Sequence, residues 1–358
     1  MGRRLASLVL GLCAAILLGG VHAAAKDGPK YQPDSIPHIQ FDKASADLQY
    51  GSDQTKRREY FLAIYSGSTM GTYFYVASAL CRAIEADFAL HRIHCVPLRS
   101  SGVNSNVALM NMGRAQFIIV QSDTNYNAAK GIIDLPDGRS VMSLHNELGL
   151  LAVRPDAGIS TVADLRGKRV NLGPVGTASR GLWEELLKIE GIEISELAQT
   201  YGVQQNFNDV GLCSDYIDAF GLWIGHPTPS IWRSIKDCGA KIVGMTSPRI
   251  DAYVASQPHY FKKTIPANTY TGQDDDIQSY GFKASLVANR HADPYVVYWA
   301  IKSVQKNLDL LRSQHPALAS IIAADMFSDA NALPFHEGAV RYWREAGVLK
   351  DGGPSPKK

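Results

Sequence analysis

The stretch FLAIYSGSTMGTYFYVASALCRAI, residues 61–84, holds the pattern on which the interpretation of the whole chain depends. It begins with an apolar run typical of a strand, passes through a loop of glycine, serine and threonine at 66–72, and continues with apolar residues at helical spacing. A strand, a small polar loop and a helix in this order are typical of an α/β sheet. Backbone N–H groups and the positive end of the helix dipole meet in the loop, which therefore predicts a site for a carboxylate or phosphate.

The same order of elements recurs three times further along the chain, with loops at 121–123, 173–179 and 225–229. The two glycine-bearing loops, 66–72 and 173–179, contain no lysine or arginine and lack the G-x-x-x-x-G-K-[ST] spacing, which argues against a triphosphate ligand. Residues 293–311 predict one long helix, because an Asp-Pro pair precedes a run of apolar residues at helical spacing.

Composition and charge narrow the class of protein. The 358 residues include 36 basic and 34 acidic side chains, a formal charge of +2, which is not the basic surplus that nucleic-acid binding requires. Residues 1–25 have the charged start, the apolar run and the small residues of a secretory signal peptide, with cleavage near Ala23 or Ala25. An uncleaved anchor is the alternative. Cleavage would remove two arginines and no acid, so we expect a formally neutral protein in the periplasm.

The expected mature chain keeps four of the five cysteines, Cys81, Cys95, Cys213 and Cys238. In an oxidising compartment they admit three pairings, and free buried thiols are a further alternative. Pairing Cys81 with Cys95 and Cys213 with Cys238 closes short loops, whereas a crossed pairing would join distant parts of the chain and oppose their movement. The local pairing is the expectation.

Signatures of enzymes and of metal sites are weak. The chain has no G-x-S-x-G or H-E-x-x-H motif, and the spacing of His91, His94 and Cys95 suits neither a zinc ribbon nor a helical metal pair. His145, Glu147 and Asp123 are suited to proton transfer, but the sequence places no nucleophile beside them. We therefore expect no catalytic residue, no metal ion and no cofactor.

Taken in order, these loops resemble those of the TAXI-type solute-binding proteins of TRAP transporters. Residues 65–74, YSGSTMGTYF, are similar to the family motif G-T-G-S-T-G-G-T-Y-Y, and the resemblance spans about residues 60–348. Further similar segments are 121–123, 144–147, 164–170, 173–177, 217–219, 225–227 and 334–339. Two positions depart from the family pattern: Val103 replaces a serine, and Ala178 lies where the second loop usually has a serine or glycine tail.

The resemblance implies an α/β protein with the two-lobed periplasmic-binding-protein (type II) fold, in which each lobe is a mixed sheet flanked by helices. Crossover strands near 148–153 and 281–288 would be the hinges. The expected organisation is a polar extension at 26–59, a first lobe of 60–153 plus 277–348, a second lobe of 154–276 and a flexible tail at 349–358.

The function that the resemblance implies is solute binding rather than catalysis. A monomer would close on a small organic anion of the glutamate or 2-oxoglutarate kind and deliver it to a TRAP-type membrane permease driven by an ion gradient, with no nucleic acid as partner. The alternatives are an exported binding protein that serves a sensor, and an exported enzyme on the same fold.

The candidate ligand contacts follow from the loops and the aromatic residues beside them. Backbone N–H groups and hydroxyls would hold a carboxylate, and Tyr73 and Trp223 would pack against the carbon chain, although both also suit a core. Asp123 would accept from an amine or only cap its helix. The predicted contacts are Ser66, Gly67, Ser68, Thr69, Met70, Gly71, Thr72, Tyr73, Ser122, Asp123, Pro174, Val175, Gly176, Thr177, Ala178, Trp223 and His226.

Overall fold

The structure is a computed structural model that describes residues 58–69, 71–328 and 331–349. The expected signal peptide, most of the polar extension, Met70 and nearly all of the tail lie outside the described residues. The strands are β1 (Tyr60–Tyr65), β2 (Ile93–Leu98), β3 (Phe117–Gln121), β4 (Gly138–Val153), β5 (Arg169–Asn171), β6 (Gln199–Tyr201), β7 (Ala219–Ile224), β8 (Lys241–Gly244), β9 (Phe261–Ile265) and β10 (Ile277–Asn289).

Helices flank these strands. They are α1 (Thr72–Glu85), α2 (Phe88–His91), α3 (Val103–Asn111), α4 (Ser122–Ala129), α5 (Ala178–Glu190), α6 (Asn208–Cys213), α7 (Pro229–Cys238), α8 (Pro248–Ser256), α9 (Pro294–Lys306), α10 (Leu308–Ser313), α11 (Asp325–Ser328) and α12 (Glu337–Glu345). Among the described residues, no helix is both long and apolar enough to span a membrane.

Two long antiparallel strands, β4 and β10, lie at the centre of the sheet, whose order is β2-β1-β3-β10-β4-β7-β5-β6. On one side, β1 pairs in parallel with β2 and β3, and on the other β5 pairs in parallel with β6 and β7. In addition, β8 pairs with β4 and β9 pairs with β10. A mixed sheet of this kind places the parallel groups on opposite sides of one shared antiparallel pair.

The buried apolar residues divide into clusters along these two strands. In β4, Met142 and Leu144 pack into the cluster around β1–β3, whereas Leu150 packs among residues of β7. In β10, Phe282 packs with the β5–β7 side and Leu286 with the β1–β3 side. We call β1–β3, α1–α4 and α9–α12 the first lobe, and β5–β9 and α5–α8 the second lobe. The lobe boundaries given from the sequence remain a prediction.

Local sequence explains the lengths of α1 and of the helices near the C-terminus. In α1, Val76, Leu80 and Ile84 recur at helical spacing and are buried against the sheet. The single helix predicted for 293–311 is wrong, because the structure ends α9 at Lys306 and begins α10 at Leu308. Asn307 lies between them, outside helical geometry, and its side-chain amide donates to Ala83 O (2.9 Å) and Asp87 Oδ2 (3.2 Å) of the first lobe.

Two disulfides link neighbouring elements within each lobe. Cys81 of α1 is bonded to Cys95 of β2, and Cys213 at the end of α6 is bonded to Cys238 at the end of α7. This is the local pairing expected from the sequence. Neither bond joins the first lobe to the second, so both leave relative movement of the lobes unrestricted.

Gly281→Ala is expected to destabilise the fold, because a Cβ at this position would lie 1.9 Å from Glu147 O in the β4–β10 pair. Separation of the two backbones should lower the free energy of unfolding by at least about 2 kcal/mol. Gly181→Ala in α5 is the matched control: no atom lies within 4 Å of the added Cβ, and the helix should gain about 1 kcal/mol. Urea unfolding measures both, and equal effects would contradict the close approach at Gly281.

Candidate functional site

A cavity of about 360 Å³ lies between the lobes, at the carboxyl ends of strands from both. The first lobe and Glu147 of β4 contribute one wall, and the second lobe contributes the other. The first wall is lined by Gly67, Ser68, Gly71, Thr72, Tyr73, Ser101, Gly102, Val103, Gln121 and Glu147. The second wall is lined by Gly173, Pro174, Thr177, Ala178, Ser179, Leu182, Gln204, Gln205, Asn206, Trp223 and Ile224.

The loop after β1 gives the cavity the beginning of α1. Its N-cap, Gly71, makes no side-chain capping hydrogen bond, and the first turn carries no acidic residue. Ser66 is fully buried and donates to Leu98 O (2.7 Å), while Ser66 O accepts from the Asn106 side chain (2.8 Å). Ser66 therefore anchors the loop, and the N–H groups at the start of α1 remain the donors nearest the cavity.

The loop after β5 gives the cavity the beginning of α5. Gly173 and Gly176 both have φ of 80°, a conformation that favours glycine and turns the chain back toward the helix. The Thr177 hydroxyl donates to Pro174 O (2.7 Å) and accepts from Arg180 N (3.3 Å), so it caps α5. Ala178 lies at the first helical position and lines the cavity. The hydroxyl of Thr177 is thus engaged within the loop, which leaves the backbone as the main donor here.

Two further helices begin at the same cavity. Gly102, with φ of 105°, precedes α3, and Gln121 precedes α4; neither makes a side-chain capping hydrogen bond. Residues at the starts of α1, α3, α4 and α5 thus all line one space. Each helix start carries about half a positive charge, so this arrangement favours an anion.

A hydrogen bond connects the lobes beside the cavity. Asn104, in the first turn of α3, donates from its side chain to Gly176 O across the cleft at 2.7 Å, in an exposed position. Because the acceptor is a backbone carbonyl, the contact depends on the loop conformation at Gly176 and not on a side chain there.

Glu147 is the buried acid of the site. It lies on β4, is 3% exposed, and its Oε2 accepts from Tyr73 Oη at 2.8 Å. Burial raises the pKa of Glu147 to about 8, and hydrogen bonds from Tyr73 and Gln121 only partly oppose this shift. Burial also raises the pKa of Tyr73, and the charge of Glu147 adds to that effect. Glu147 therefore keeps its proton at neutral pH while the cavity holds no positive charge.

His145 lies next to this acid on the same strand. Its Nε2 is 3.8 Å from Glu147 Oε1, and neither ring nitrogen has a hydrogen-bond partner among the described residues. Burial, with a smaller contribution from His315, lowers the pKa of His145 to about 3, so the ring is neutral. His145 consequently provides no counter-charge for Glu147.

Several predicted contacts lie outside the lining of the cavity. Ser122 donates to His259 O (3.1 Å) and accepts from Lys283 N (3.2 Å), which holds the start of α4 against β10. Asp123 accepts from Thr124 N (2.6 Å), and burial raises its pKa to about 6. The ligand contacts predicted for these two residues stay predictions.

His226 and the loop ends are also away from the cavity lining. The ring of His226 hydrogen-bonds Tyr270 Oη (2.6 Å) and Leu148 O (3.0 Å), and burial lowers its pKa to about 4. Val175 is 83% exposed, and Thr69 is exposed as well. Met70 lies outside the described residues. The contacts predicted for His226, Thr69, Val175, Gly176 and Met70 are untested by this arrangement.

Sequence reasoning did not identify about half of the cavity wall. Gln121 could have been predicted to line the cavity, because it is the last residue of β3 and directly precedes α4. Glu147 lies inside a strand whose earlier residues are polar, and it had been considered only for proton transfer. Val103 and Ala178, the two departures from the TAXI pattern, both line the cavity, which makes its wall less polar at these positions. In the described part of the chain, no three His, Cys, Asp or Glu side chains converge as metal ligands would.

Glu147→Gln is expected to raise the melting temperature relative to the parent protein, and to do so increasingly as the pH rises. The pKa of Glu147 is about 8 in the fold against an ordinary 4.5, so the unfolded chain releases this proton first. The group's contribution to stability is therefore constant below about pH 4.5 and declines as the pH rises toward 8. Thermal unfolding at about pH 5.5 and about pH 8.5 measures the difference.

The control is Glu184→Gln, at an exposed carboxylate paired with Arg180. Its effect on melting temperature should be the same at both pH values. If the effect of Glu147→Gln were equally independent of pH, Glu147 would not hold its proton in the folded protein.

Comparison with solved structures identifies the fold. The periplasmic binding protein BugD is 14% identical, with 82% of this chain and 100% of that chain covered and a TM-score of 0.50. MatC from Rhodopseudomonas palustris, solved with bound malate, is 13% identical, covering 72% of this chain and 88% of that one (TM-score 0.49). The aliphatic sulphonate binding protein SsuA from Escherichia coli is 15% identical, covering 84% and 95% (TM-score 0.44). The likeness to BugD concerns the fold alone, and the expected two-lobed α/β fold of periplasmic binding proteins is confirmed.

The family of the chain follows from a separate comparison. A model of the NMT1-like family matches residues 64–347, which is most of the sequence and includes the loops that line the cavity. The chain belongs to the NMT1-like family.

Proposed function

We propose that this protein is an exported solute-binding protein that captures a small organic anion, a carboxylate of the glutamate or 2-oxoglutarate kind, between its two lobes. The observation that carries the proposal is the convergence of the starts of α1, α3, α4 and α5 on one cavity. Their N–H groups supply the donors that a carboxylate needs, and three of the four helices, α1, α4 and α5, begin at loops recognised in the sequence.

The size and charge of the cavity support a small ligand held by local dipoles. A volume of about 360 Å³ falls at the small end of the range for small-molecule sites. Among the described residues that line the cavity, none is a lysine, arginine or histidine. The anion would therefore be bound by backbone N–H groups and hydroxyls, as in sites that use helix starts in place of cations.

The resemblance to TAXI proteins is what supports delivery to a TRAP-type permease. In this proposal the signal peptide directs the chain to the periplasm, where a monomer binds the solute, closes and docks on the permease. Both disulfides suit an oxidising compartment and leave the lobes free to close. Catalysis is not part of the proposal, because the buried acid Glu147 has no nucleophile described beside it.

Ser68→Leu is expected to abolish or weaken solute binding. The purified protein is screened by thermal shift and calorimetry against four- to six-carbon dicarboxylates, amino acids and sulfonates. At least one of these should raise the melting temperature, because a ligand that binds only the folded state stabilises it. The leucine side chain would occupy the cavity beside the start of α1, so the dissociation constant should rise about tenfold or more, which is about 1.4 kcal/mol.

Thr69→Leu is the matched control, since Thr69 belongs to the same loop and is exposed like Ser68 but does not line the cavity. Its affinity should equal that of the parent protein. If no small anion shifted the melting temperature, or if Ser68→Leu bound as tightly as Thr69→Leu, anion capture in this cavity would be refuted.

Uptake by whole cells tests the permease. Cells that lack the protein should lose uptake of the solute found in the screen. An ionophore that collapses ion gradients should stop uptake in parent cells, whereas depletion of ATP with the gradient maintained should not. Uptake that continued without the protein would favour the sensor alternative, and uptake that stopped on ATP depletion alone would exclude a TRAP-type permease.

A further inference from the structure

The cavity contains one carboxyl group and no described cation, which is unusual for a site that holds an anion. Glu147 lines the space, and no lysine, arginine or histidine does. A second carboxylate could lie against Glu147 only while Glu147 kept its proton, because two like charges in a buried space repel each other at a considerable cost. The wall around Glu147 therefore favours a chemical group of the ligand other than the carboxylate that the helix starts favour.

The hydrogen bonds around Glu147 make this part of the wall an acceptor. Tyr73 Oη donates to its Oε2, and the Gln121 side chain also hydrogen-bonds the carboxylate. Gln121 Oε1 has no partner among the described residues, so it is the N–H₂ group of Gln121 that bonds Glu147. Gln121 is 7% exposed and lines the cavity. Gln121 thus offers an oxygen without a donor, next to a carboxyl group whose described hydrogen-bond partners are Tyr73 and Gln121 itself.

Donors and acceptors are therefore provided in the same cavity by different elements. The starts of α1, α3 and α5 provide N–H groups, whereas Gln121 provides an oxygen and Glu147 a carboxyl group that becomes negatively charged when it loses its proton. A ligand with only carboxylates satisfies the first set and opposes the second. An ammonium group has three donors and one positive charge, which suits two neighbouring oxygens of which one is charged.

We infer that the solute is a zwitterion whose protonated amine binds between Glu147 and Gln121 while its carboxylate lies at the helix starts. This inference rests on the proposed function, since it assumes anion capture in the same cavity. It adds the class of solute, an amino acid rather than a simple dicarboxylate, and it makes Glu147 and Gln121 the residues that determine this specificity.

The competing arrangement is a protonated Glu147 that donates its own hydrogen to a second carboxylate of the ligand. The two arrangements respond oppositely to Glu147→Gln. An amide keeps a hydrogen-bond donor and removes the acid, so a dicarboxylate would bind at least as tightly. An ammonium would lose its charged partner, and a buried charge pair that loses one member weakens binding strongly.

The test uses solutes matched in carbon skeleton with and without the amine. Calorimetry on the full mature protein compares L-glutamate with glutarate, L-aspartate with succinate, and L-leucine with 4-methylpentanoate. In at least one pair the amino acid should bind about thirtyfold or more tightly than its partner. Glu147→Gln should remove that preference by weakening the amino acid and not the simple acid.

Gln121→Met and Gln204→Met separate recognition of the amine from general damage to the cavity. Both replace an amide that lines the cavity, but only Gln121 lies beside Glu147. Gln121→Met should weaken the amino acid more than its partner solute, whereas Gln204→Met should affect both members of a pair equally. If Glu147→Gln fails to fold, the affinities of the paired solutes for the parent protein and for Gln121→Met still test whether the amine is recognised.

Proton release gives an independent readout. The titratable groups that shift the pKa of Glu147 are Tyr73 and Asp123. His145 lies beside Glu147 but is neutral. The ammonium of Lys283 lies 3.7 Å from Asp325 and is not among the groups that act on Glu147. Because Glu147 holds its proton in the empty cavity, pairing with an ammonium near neutral pH should release about one proton. Calorimetry in buffers of different ionisation enthalpy measures this release, which should be absent in Glu147→Gln.

The outcomes are distinct. Equal affinities within every pair, or a preference that survives Glu147→Gln, would overturn the ammonium site while leaving anion capture intact. If no member of any pair bound and no other anion did, the proposed function itself would fail. An amino-acid preference that disappears in Glu147→Gln together with the released proton would support the inference.

Discussion

The antiparallel pairing of β4 with β10 is the constraint on which the rest of the molecule depends. Residues of these two strands pack into the apolar clusters of both lobes, so the pair connects the two walls of the cavity. At Gly281 of this pair, an added side chain would meet the backbone of Glu147. The residue that gives the cavity its only described carboxyl is thus also part of the contact that holds the lobes together.

The sequence predicted the parts of the fold in which apolar pattern and loop chemistry coincide. The positions at which β1, β3, β5 and β7 end were predicted, because each is a short apolar run followed by one of the four polar loops. The long strands were only half predicted. Residues 139–147 of β4 are mostly polar, yet four of them are buried: Ser140, Ser143, His145 and Glu147. A prediction that infers burial from hydrophobicity therefore begins this strand only at Leu148.

The same limit explains the candidate site. Loops at helix starts were recognisable because glycine, serine and threonine have a local role there, and about half of the residues proposed from them line the cavity. Glu147 and Gln121 act through partners that are distant in the sequence. No local pattern predicts the hydrogen bond between Tyr73 of α1 and Glu147 of β4. Asn307 ended a predicted helix for the same reason, since its amide is bound by α1, more than two hundred residues earlier.

The hydrogen bond from Asn104 to Gly176 O has a consequence for timing. One exposed amide–carbonyl bond contributes about 1 kcal/mol net, which is roughly a fivefold change in the ratio of closed to open molecules. Such a latch prolongs the lifetime of the closed form without making it permanent. The residence time of a solute is then governed mainly by its own contacts in the cavity, and the protein can still open and release it.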